Sequence, residues 1–223
     1  FIDESLPKWA QTQLLPLGLS TAEVIVPVSP TYTQEILTPE YGCGLDPFLG
    51  TIKDRLTGIL NGLDEVAWNP ETDPALMARF TINSLLDRSF NKSTLQKSLD
   101  LKEDTRIPLL VTIGRINEQK GMDITFEALR LMTDFNWQFV ILGSGDPDLE
   151  DAARRLQTDF PDRVRAIIRY DAALGRLLYG GSDLLLMPSR YEPCGLAQMI
   201  AMRYGCIPLV RATGGLKDTV RDG

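Results

Sequence analysis

The sequence predicts an α/β protein whose second half forms a parallel, Rossmann-like sheet. From about residue 106, five short apolar runs alternate with five segments that show helical spacing of apolar residues. The runs are continuously apolar rather than alternating, which is typical of parallel strands covered on both faces. Each run is followed by a charged or glycine-rich turn. This alternation predicts βα units and therefore an α/β fold.

The elements follow from local patterns. Residues 1–105 are irregular, with short apolar runs between turn-rich stretches, but Ser29-Pro30 predicts an N-cap with proline in the first helical turn, and residues 91–99 predict a helix. The predicted strands are residues 107–114, 137–143, 164–168, 183–188 and 206–210. A helix is predicted after each of them.

Composition excludes several classes of function. The 223 residues carry a net charge of −7, which disfavours a nucleic acid or an anionic membrane as partner. No apolar run reaches the roughly 18 residues that suggest a membrane span. The sequence contains no histidine, which excludes histidine-based acid–base catalysis and histidine metal ligands within this chain. Cys43, Cys194 and Cys206 lack the spacing of a metal site, so we expect no metal and a reducing, intracellular setting.

The polar and glycine-rich clusters of the second half fall where predicted strands end. The candidate site residues in these turns are Arg115, Lys120, Gly143, Ser144, Gly145, Asp146, Tyr170, Glu192, Thr213, Gly214 and Gly215. Parallel strands end at one edge of a sheet, and sheets of this type bind ligands at that edge. Two cations beside a helix N-terminus suit a diphosphate. The sequence therefore predicts an anion-binding site at the carboxyl edge.

Each cluster also has a structural interpretation. Arg115 and Lys120 are also consistent with a solvated surface pair. The segment GSGDP is neither a complete dinucleotide fingerprint nor a Walker motif, and composition alone favours a turn. Glu192 precedes a predicted helix and is also consistent with a capping carboxylate, with Arg190 as its expected structural partner. Cys194 is expected to be a packing residue.

Seven stretches resemble the bacterial glycogen synthase and plant starch synthase family. They are VSPTYTQEI (28–36), TPEYGCGLD (38–46), LTGILNGLDEVAWNPETD (56–73), GRINEQKG (114–121), GSGDP (143–147), MPSRYEPCGLAQ (187–198) and RATGGLKDTV (211–220). They occur in the family's order over nearly the whole chain. The resemblance implies a GT-B fold and a retaining glycosyltransferase that moves glucose from ADP-glucose to the non-reducing end of an α-1,4-glucan, with no cofactor and no metal.

The resemblance also implies roles for single residues. Arg115 and Lys120 match the pair that holds the nucleotide's phosphates and stabilises the ADP leaving group, and Glu192 matches the active-site glutamate beside the donor glucose. Tyr170 is expected near the adenine. Donor glucose and phosphates are expected against the turns formed by Cys194, Gly195 and Leu196 and by Thr213, Gly214 and Gly215.

A few positions depart from the family pattern. Ile200 stands where related retaining transferases such as sucrose synthase carry a second glutamate, which favours the glycogen synthase branch. Ala197 replaces a frequent threonine. Arg169 and Ala172 replace the glycine and glutamate of a GYDE stretch, and Arg176 stands where histidine is common. The fit around the adenine is therefore expected to differ.

We expect the chain to be a fragment, because the family's amino-terminal KxGGLGDV loop and histidine-bearing segments are missing. Residues 1–105 would be the end of the acceptor-side domain with its linker, and residues 106–223 part of the nucleotide-sugar domain. The fragment alone should lack turnover. Alternatives are a non-catalytic nucleotide- or glucan-binding module, or a related transferase using UDP-glucose. The expected location is the bacterial cytoplasm, or the plastid stroma if the source is a plant or alga; the oligomeric state is not predicted.

Overall fold

The computed structural model describes residues 4–222 and divides them into two compact units. The amino-terminal unit comprises residues 4–62, Tyr191–Gly195 and residues 212–222, and the sheet unit comprises Leu63–Arg190 and Leu196–Arg211. Residues 63–105 thus group with the sheet. The domain boundary expected between residues 105 and 106 stays a prediction.

The described α-helices comprise seven that the sequence predicts and two, in residues 14–21 and 46–51, that it does not. They are α1 (Leu14–Thr21), α2 (Pro30–Glu35), α3 (Asp46–Thr51), α4 (Arg88–Ser98), α5 (Met122–Leu131), α6 (Pro147–Asp159), α7 (Ala172–Gly181), α8 (Ala197–Arg203) and α9 (Gly214–Thr219). The capping prediction for α2 is confirmed: the Ser29 side chain accepts a hydrogen bond from the Tyr32 amide, and Pro30 occupies the first helical turn. None of the helices in residues 4–222 is both long enough and apolar enough to cross a membrane.

The sheet unit contains five parallel strands. They are β1 (Leu109–Ile113), β2 (Gln138–Gly143), β3 (Val164–Ile168), β4 (Leu184–Met187) and β5 (Ile207–Val210), in the order β3-β2-β1-β4-β5. Every neighbouring pair runs parallel. Each strand lies inside or coincides with the run that predicted it, so the predicted Rossmann-like α/β sheet is confirmed.

The core of the sheet unit lies around its central strands. β2 is buried along its whole length, and Phe126, Trp137 and Leu156 pack into the same apolar cluster. The expectation that both faces of every strand are covered is wrong for β5, where the side chains of Ile207 and Leu209 are 65% and 62% exposed. β5 is an edge strand, and these alternate side chains share a face that no element of residues 4–222 covers.

The amino-terminal unit has a small apolar cluster of its own, formed by Leu6, Ala10, Leu45, Phe48 and Leu49. The sequence alone does not reveal this cluster, because the residues that form it are spread over turn-rich segments. In the same unit α2 packs against α9. At the start of α2, the Asp218 carboxylate accepts hydrogen bonds from the Thr31 amide, at 2.9 Å, and the Thr31 hydroxyl, at 2.6 Å.

Candidate functional site

The strand order places a topological switch point between β1 and β4. The chain builds outward from β1 through β2 to β3 and then returns to the other side of β1 for β4 and β5. The loops that leave β1 and β4 therefore diverge, and a crevice opens at the carboxyl ends of the two strands. Two cavities of about 510 and 260 Å³ lie at this edge of the sheet unit, and both are lined by Ile113, Gly114 and Arg115.

The smaller cavity brings together the two predicted phosphate ligands. Arg115 and Lys120 both line it, with the ends of β1 and β4 as its apolar base. The side chain of Asn117 caps the short turn between them by accepting a hydrogen bond from the Lys120 amide at 3.1 Å. The turn thus places two cationic residues, exposed Arg115 and half-buried Lys120, against one cavity, which is an arrangement that suits an anion.

Arg190 ties the loop after β4 to the loop after β1. Its guanidinium makes two hydrogen bonds to the Asp123 carboxylate, at 2.8 and 2.7 Å, and a third to the Glu118 carbonyl oxygen at 2.7 Å. The hydrogen bonds that Arg190 donates to the Asp123 carboxylate hold the pKa of this carboxyl below its ordinary value. Glu192 was the expected partner of Arg190; the carboxylate that the structure shows for it is Asp123, at the start of α5.

The segment GSGDP packs against the loop after β1. A Cβ at Gly143 would overlap the Gly114 carbonyl oxygen, and one at Gly145 would overlap that of Ile116. Asp146 caps α6, accepting a hydrogen bond from the Asp148 amide at 2.9 Å. Gly143 and Ser144 line the larger cavity, whereas Gly145 and Asp146 hold the loop in place.

The outer wall of the larger cavity includes two residues outside the predicted ligand set, although Arg176 is one of the departures expected to change the fit around the adenine. Trp68 and Arg176 both line the cavity, and the Arg176 guanidinium lies 4.2 Å from the Trp68 ring centroid. Arg176 donates to the buried Asp73 carboxylate at 2.8 Å, and the Tyr204 hydroxyl donates to the same carboxylate oxygen. The segment WNPETDP contains this tryptophan and aspartate, but no local pattern indicates that it folds onto α7. Tyr170, a predicted ligand, also lines this cavity and is 87% exposed.

Glu192 lies on a loop of the amino-terminal unit and is only 7% exposed. Its carbonyl oxygen accepts a hydrogen bond from the Gly215 amide at 3.0 Å. Cys194 on the same loop is buried, in agreement with its expected packing role, and Gly195 has a positive φ of 76°. Leu196, which directly precedes α8, belongs to the sheet unit and is partly exposed.

Three donors of the Thr213–Gly215 turn have partners within the protein. The Thr213 hydroxyl and the Gly214 amide donate to the Glu35 carboxylate, at 2.9 and 2.8 Å, and the Gly215 amide donates to Glu192. A phosphate that used any of these three donors would have to replace its present contact. The role of the turn in donor binding therefore stays a prediction.

Comparison with known proteins identifies the family of this chain. The model of the family "Glycosyl transferases group 1" matches residues 92–223, and that of the "Starch synthase catalytic domain" matches residues 1–51. The chain belongs to the group 1 glycosyl transferases. The chain is 46% identical over 219 residues to a glycogen synthase of Syntrophotalea carbinolica, an alignment that covers 98% of this chain and 45% of the relative. It is 49% identical over 208 residues to a glycogen synthase of Kosmotoga olearia, covering 93% and 44%.

A solved structure supports the same assignment. The catalytic domain of starch synthase IV from Arabidopsis thaliana, bound to ADP and acarbose, superposes on this chain with a TM-score of 0.87 and 42% identity, covering 93% of this chain and 43% of that one. The predicted resemblance to glycogen and starch synthases and the predicted GT-B class are thereby confirmed. The chain spans less than half the length of these relatives.

Proposed function

We propose that this chain is the donor-binding part of a glucosyltransferase that transfers glucose from ADP-glucose to the non-reducing end of an α-1,4-glucan with retention of configuration. The observation that carries the proposal is the pairing of Arg115 and Lys120 at one cavity of the β1/β4 switch point. Support comes from the similar starch synthase, whose structure was determined with ADP and acarbose bound. Placement in the bacterial cytoplasm is part of the same proposal.

The chemistry explains why two cations are needed. Transfer breaks the bond between C1 of glucose and the phosphate oxygen, and the bonding electron pair stays on the departing ADP. The acceptor hydroxyl forms the new bond to C1 on the same face and releases its proton, which the diphosphate can accept. Preorganised cations lower the barrier to such a step because they stabilise charge that grows in the transition state. Arg115 and Lys120 are the groups assigned to this role.

Three of the remaining predicted residues are assigned by the cavity that they line. Gly143, Ser144 and Tyr170 line the larger cavity, which adjoins the cation pair and offers room for the nucleoside. The Glu192 carboxylate lines neither cavity, and its assignment to a place beside the donor glucose rests on the resemblance to the family. No acid–base role is given to histidine, because the sequence contains none.

The first test is calorimetric titration of the 223-residue chain with ADP. Arg115→Ala and Lys120→Ala should each weaken the affinity by about tenfold or more, because each removes a charged donor to phosphate that is worth roughly 1.5–3 kcal/mol. Arg106→Ala is a matched control, since Arg106 precedes the amino end of β1 and its side chain is exposed. This control should bind ADP like the unchanged chain.

Two further titrations separate the alternatives. ADP-glucose should compete with ADP for the same site, and UDP should bind more weakly if the donor is ADP-glucose. A chain that unfolds cooperatively and binds ADP equally well with and without Arg115 and Lys120 would refute the assignment of the phosphate site. Tighter binding of UDP than of ADP would instead support the related transferase that uses UDP-glucose.

A further inference from the structure

Glu35, the last residue of α2, joins two segments that are far apart in the sequence. Its Oε1 atom accepts hydrogen bonds from the Thr213 hydroxyl at 2.9 Å and from the Gly214 amide at 2.8 Å. Hydrogen bonds to an ionised acceptor are shorter and stronger than those between neutral groups. Glu35 therefore holds the turn that precedes α9.

The Thr213–Gly215 turn contacts the loop that carries Glu192. The Gly215 amide donates to the Glu192 carbonyl oxygen at 3.0 Å. A Cβ at Gly214 would overlap the same carbonyl oxygen, and a Cβ at Gly215 would overlap the backbone of Cys194. With backbone this close to backbone, the turn cannot shift without moving the Glu192 loop.

The helix that carries Glu35 is itself fixed at its other end. The Thr31 amide and hydroxyl donate to Asp218, and the side chains of Ser29 and Thr33 are buried. Asp218 lies on α9, so α2 contacts the α9 segment both near its first turn and at its last residue. Glu35 thus projects from a helix whose first turn is held in place by α9.

The carboxylate of Glu35 is not arranged for maximal stability. Its Oε2 atom is buried, and no donor within residues 4–222 reaches it. A buried acceptor without a donor is costly, and such groups in folded proteins call for a specific explanation. Precise placement of the Thr213–Gly215 turn would explain both oxygens. Oε1 accepts the hydrogen bonds that hold the turn, and this position of the carboxylate leaves Oε2 buried without a donor.

We propose that Glu35 is a positioning residue that fixes the backbone at Glu192 through the Thr213–Gly215 turn. The proposal rests on the proposed function only in assigning Glu192 to catalysis. In structural terms, we expect that removal of the Glu35 carboxylate makes the Glu192–Cys194 segment more mobile, while the sheet unit stays folded.

Cys194 provides a direct measure of that release, because its thiol is buried two residues after Glu192. The experiment follows alkylation by N-ethylmaleimide with peptide mass spectrometry, in a Cys43→Ser background that removes the exposed thiol. Cys206, buried in the sheet unit, is an internal control for global unfolding. Glu35→Ala should accelerate alkylation of Cys194 by about tenfold or more, with Cys206 unchanged.

Matched variants separate positioning from a general loss of stability. Glu35→Gln keeps an acceptor at Oε1 and should restore most of the protection of Cys194, whereas Thr213→Val removes one donor and should accelerate alkylation. Glu40→Ala, which removes an exposed glutamate of the same unit, should have no effect. Unchanged Cys194 protection in Glu35→Ala, or equal acceleration at Cys206, would overturn the proposal. If Glu35→Ala does not fold, the comparison of Glu35→Gln with Thr213→Val decides.

The outcome is independent of ADP binding. Calorimetry with ADP reports on Arg115 and Lys120 in the sheet unit, whereas alkylation reports on the loop of Glu192 in the amino-terminal unit. Failure of ADP to bind would count against the proposed function and leave the positioning result intact. Normal ADP binding with an unprotected Cys194 in the unchanged chain would count against the positioning role alone.

Discussion

Gly143→Ala is expected to lower the thermal unfolding temperature of the sheet unit strongly, or to prevent its folding. Gly143 ends β2, and a Cβ at this position would overlap the carbonyl oxygen of Gly114, the residue that follows neighbouring β1. The obstructing atom belongs to the backbone, so it cannot rotate away as a side chain could. Overpacking of this kind costs about 1–3 kcal/mol or more. Differential scanning calorimetry of the variant and the unchanged chain measures the loss.

Gly175→Ala is the matched control for this prediction, because it adds the same methyl group within the same unit. Its Cβ would lie 3.7 Å from a methyl group of Leu142, an ordinary van der Waals distance, in the interior of α7. Alanine is favoured over glycine in a helix by roughly 1 kcal/mol, so this variant should match or exceed the unchanged chain in stability. Equal unfolding temperatures for Gly143→Ala and the unchanged chain would show that the loops after β1 and β2 do not meet as described.

Asp73→Ala is expected to destabilise the sheet unit by about 3–5 kcal/mol, the usual cost of removing one partner from a buried ion pair. The Asp73 side chain is fully buried and accepts hydrogen bonds from the Arg176 guanidinium at 2.8 Å, the Ala75 amide at 2.9 Å and the Tyr204 hydroxyl. Its loss leaves a partly buried cation and a buried hydroxyl group without their acceptor. Thermal unfolding followed by calorimetry measures the effect.

The control for Asp73 is another aspartate that pairs with an arginine but lies at the surface. Asp151 accepts a hydrogen bond from Arg154 at 2.6 Å, and both side chains are more than half exposed. Asp151→Ala should change stability by less than about 1 kcal/mol, since exposed ion pairs contribute little. A loss in Asp73→Ala no larger than that in Asp151→Ala would contradict the buried network.

The Asp73 network also predicts a pH dependence of stability. Burial acts to raise the pKa of the Asp73 carboxyl, but the hydrogen bonds from Tyr204, Ala75 and Arg176 outweigh it and hold the pKa below its ordinary value. A lowered pKa in the folded state means that this stabilisation is complete above the unfolded pKa, near pH 4, and is lost as the pH falls through the folded pKa. Asp73→Asn should therefore reduce the dependence of the unfolding temperature on pH below about pH 4.

The strands, the helix caps and the site edge could be predicted because each depends on neighbours in the sequence. Continuous apolar runs predicted β1 to β5, Ser29-Pro30 predicted the start of α2, and polar turns after the strands predicted the carboxyl edge where Arg115 and Lys120 share a cavity. The prediction that both faces of every strand are covered fails at β5 for a simple reason. An apolar run indicates a strand, but the elements that cover its faces come from elsewhere in the chain.

The sequence by itself determined the fold class, the family and the turns that carry the candidate ligands. Only the tertiary structure decided the partners of the charged groups: Asp123 for Arg190, Asp73 for Arg176 and Glu35 for the Thr213–Gly215 turn. These contacts join residues that are 67, 103 and 179 positions apart. Propensities, caps and periodicity act over one or two turns of chain, whereas the choice among many chemically equivalent carboxylates depends on which ones the packed elements bring within hydrogen-bond distance.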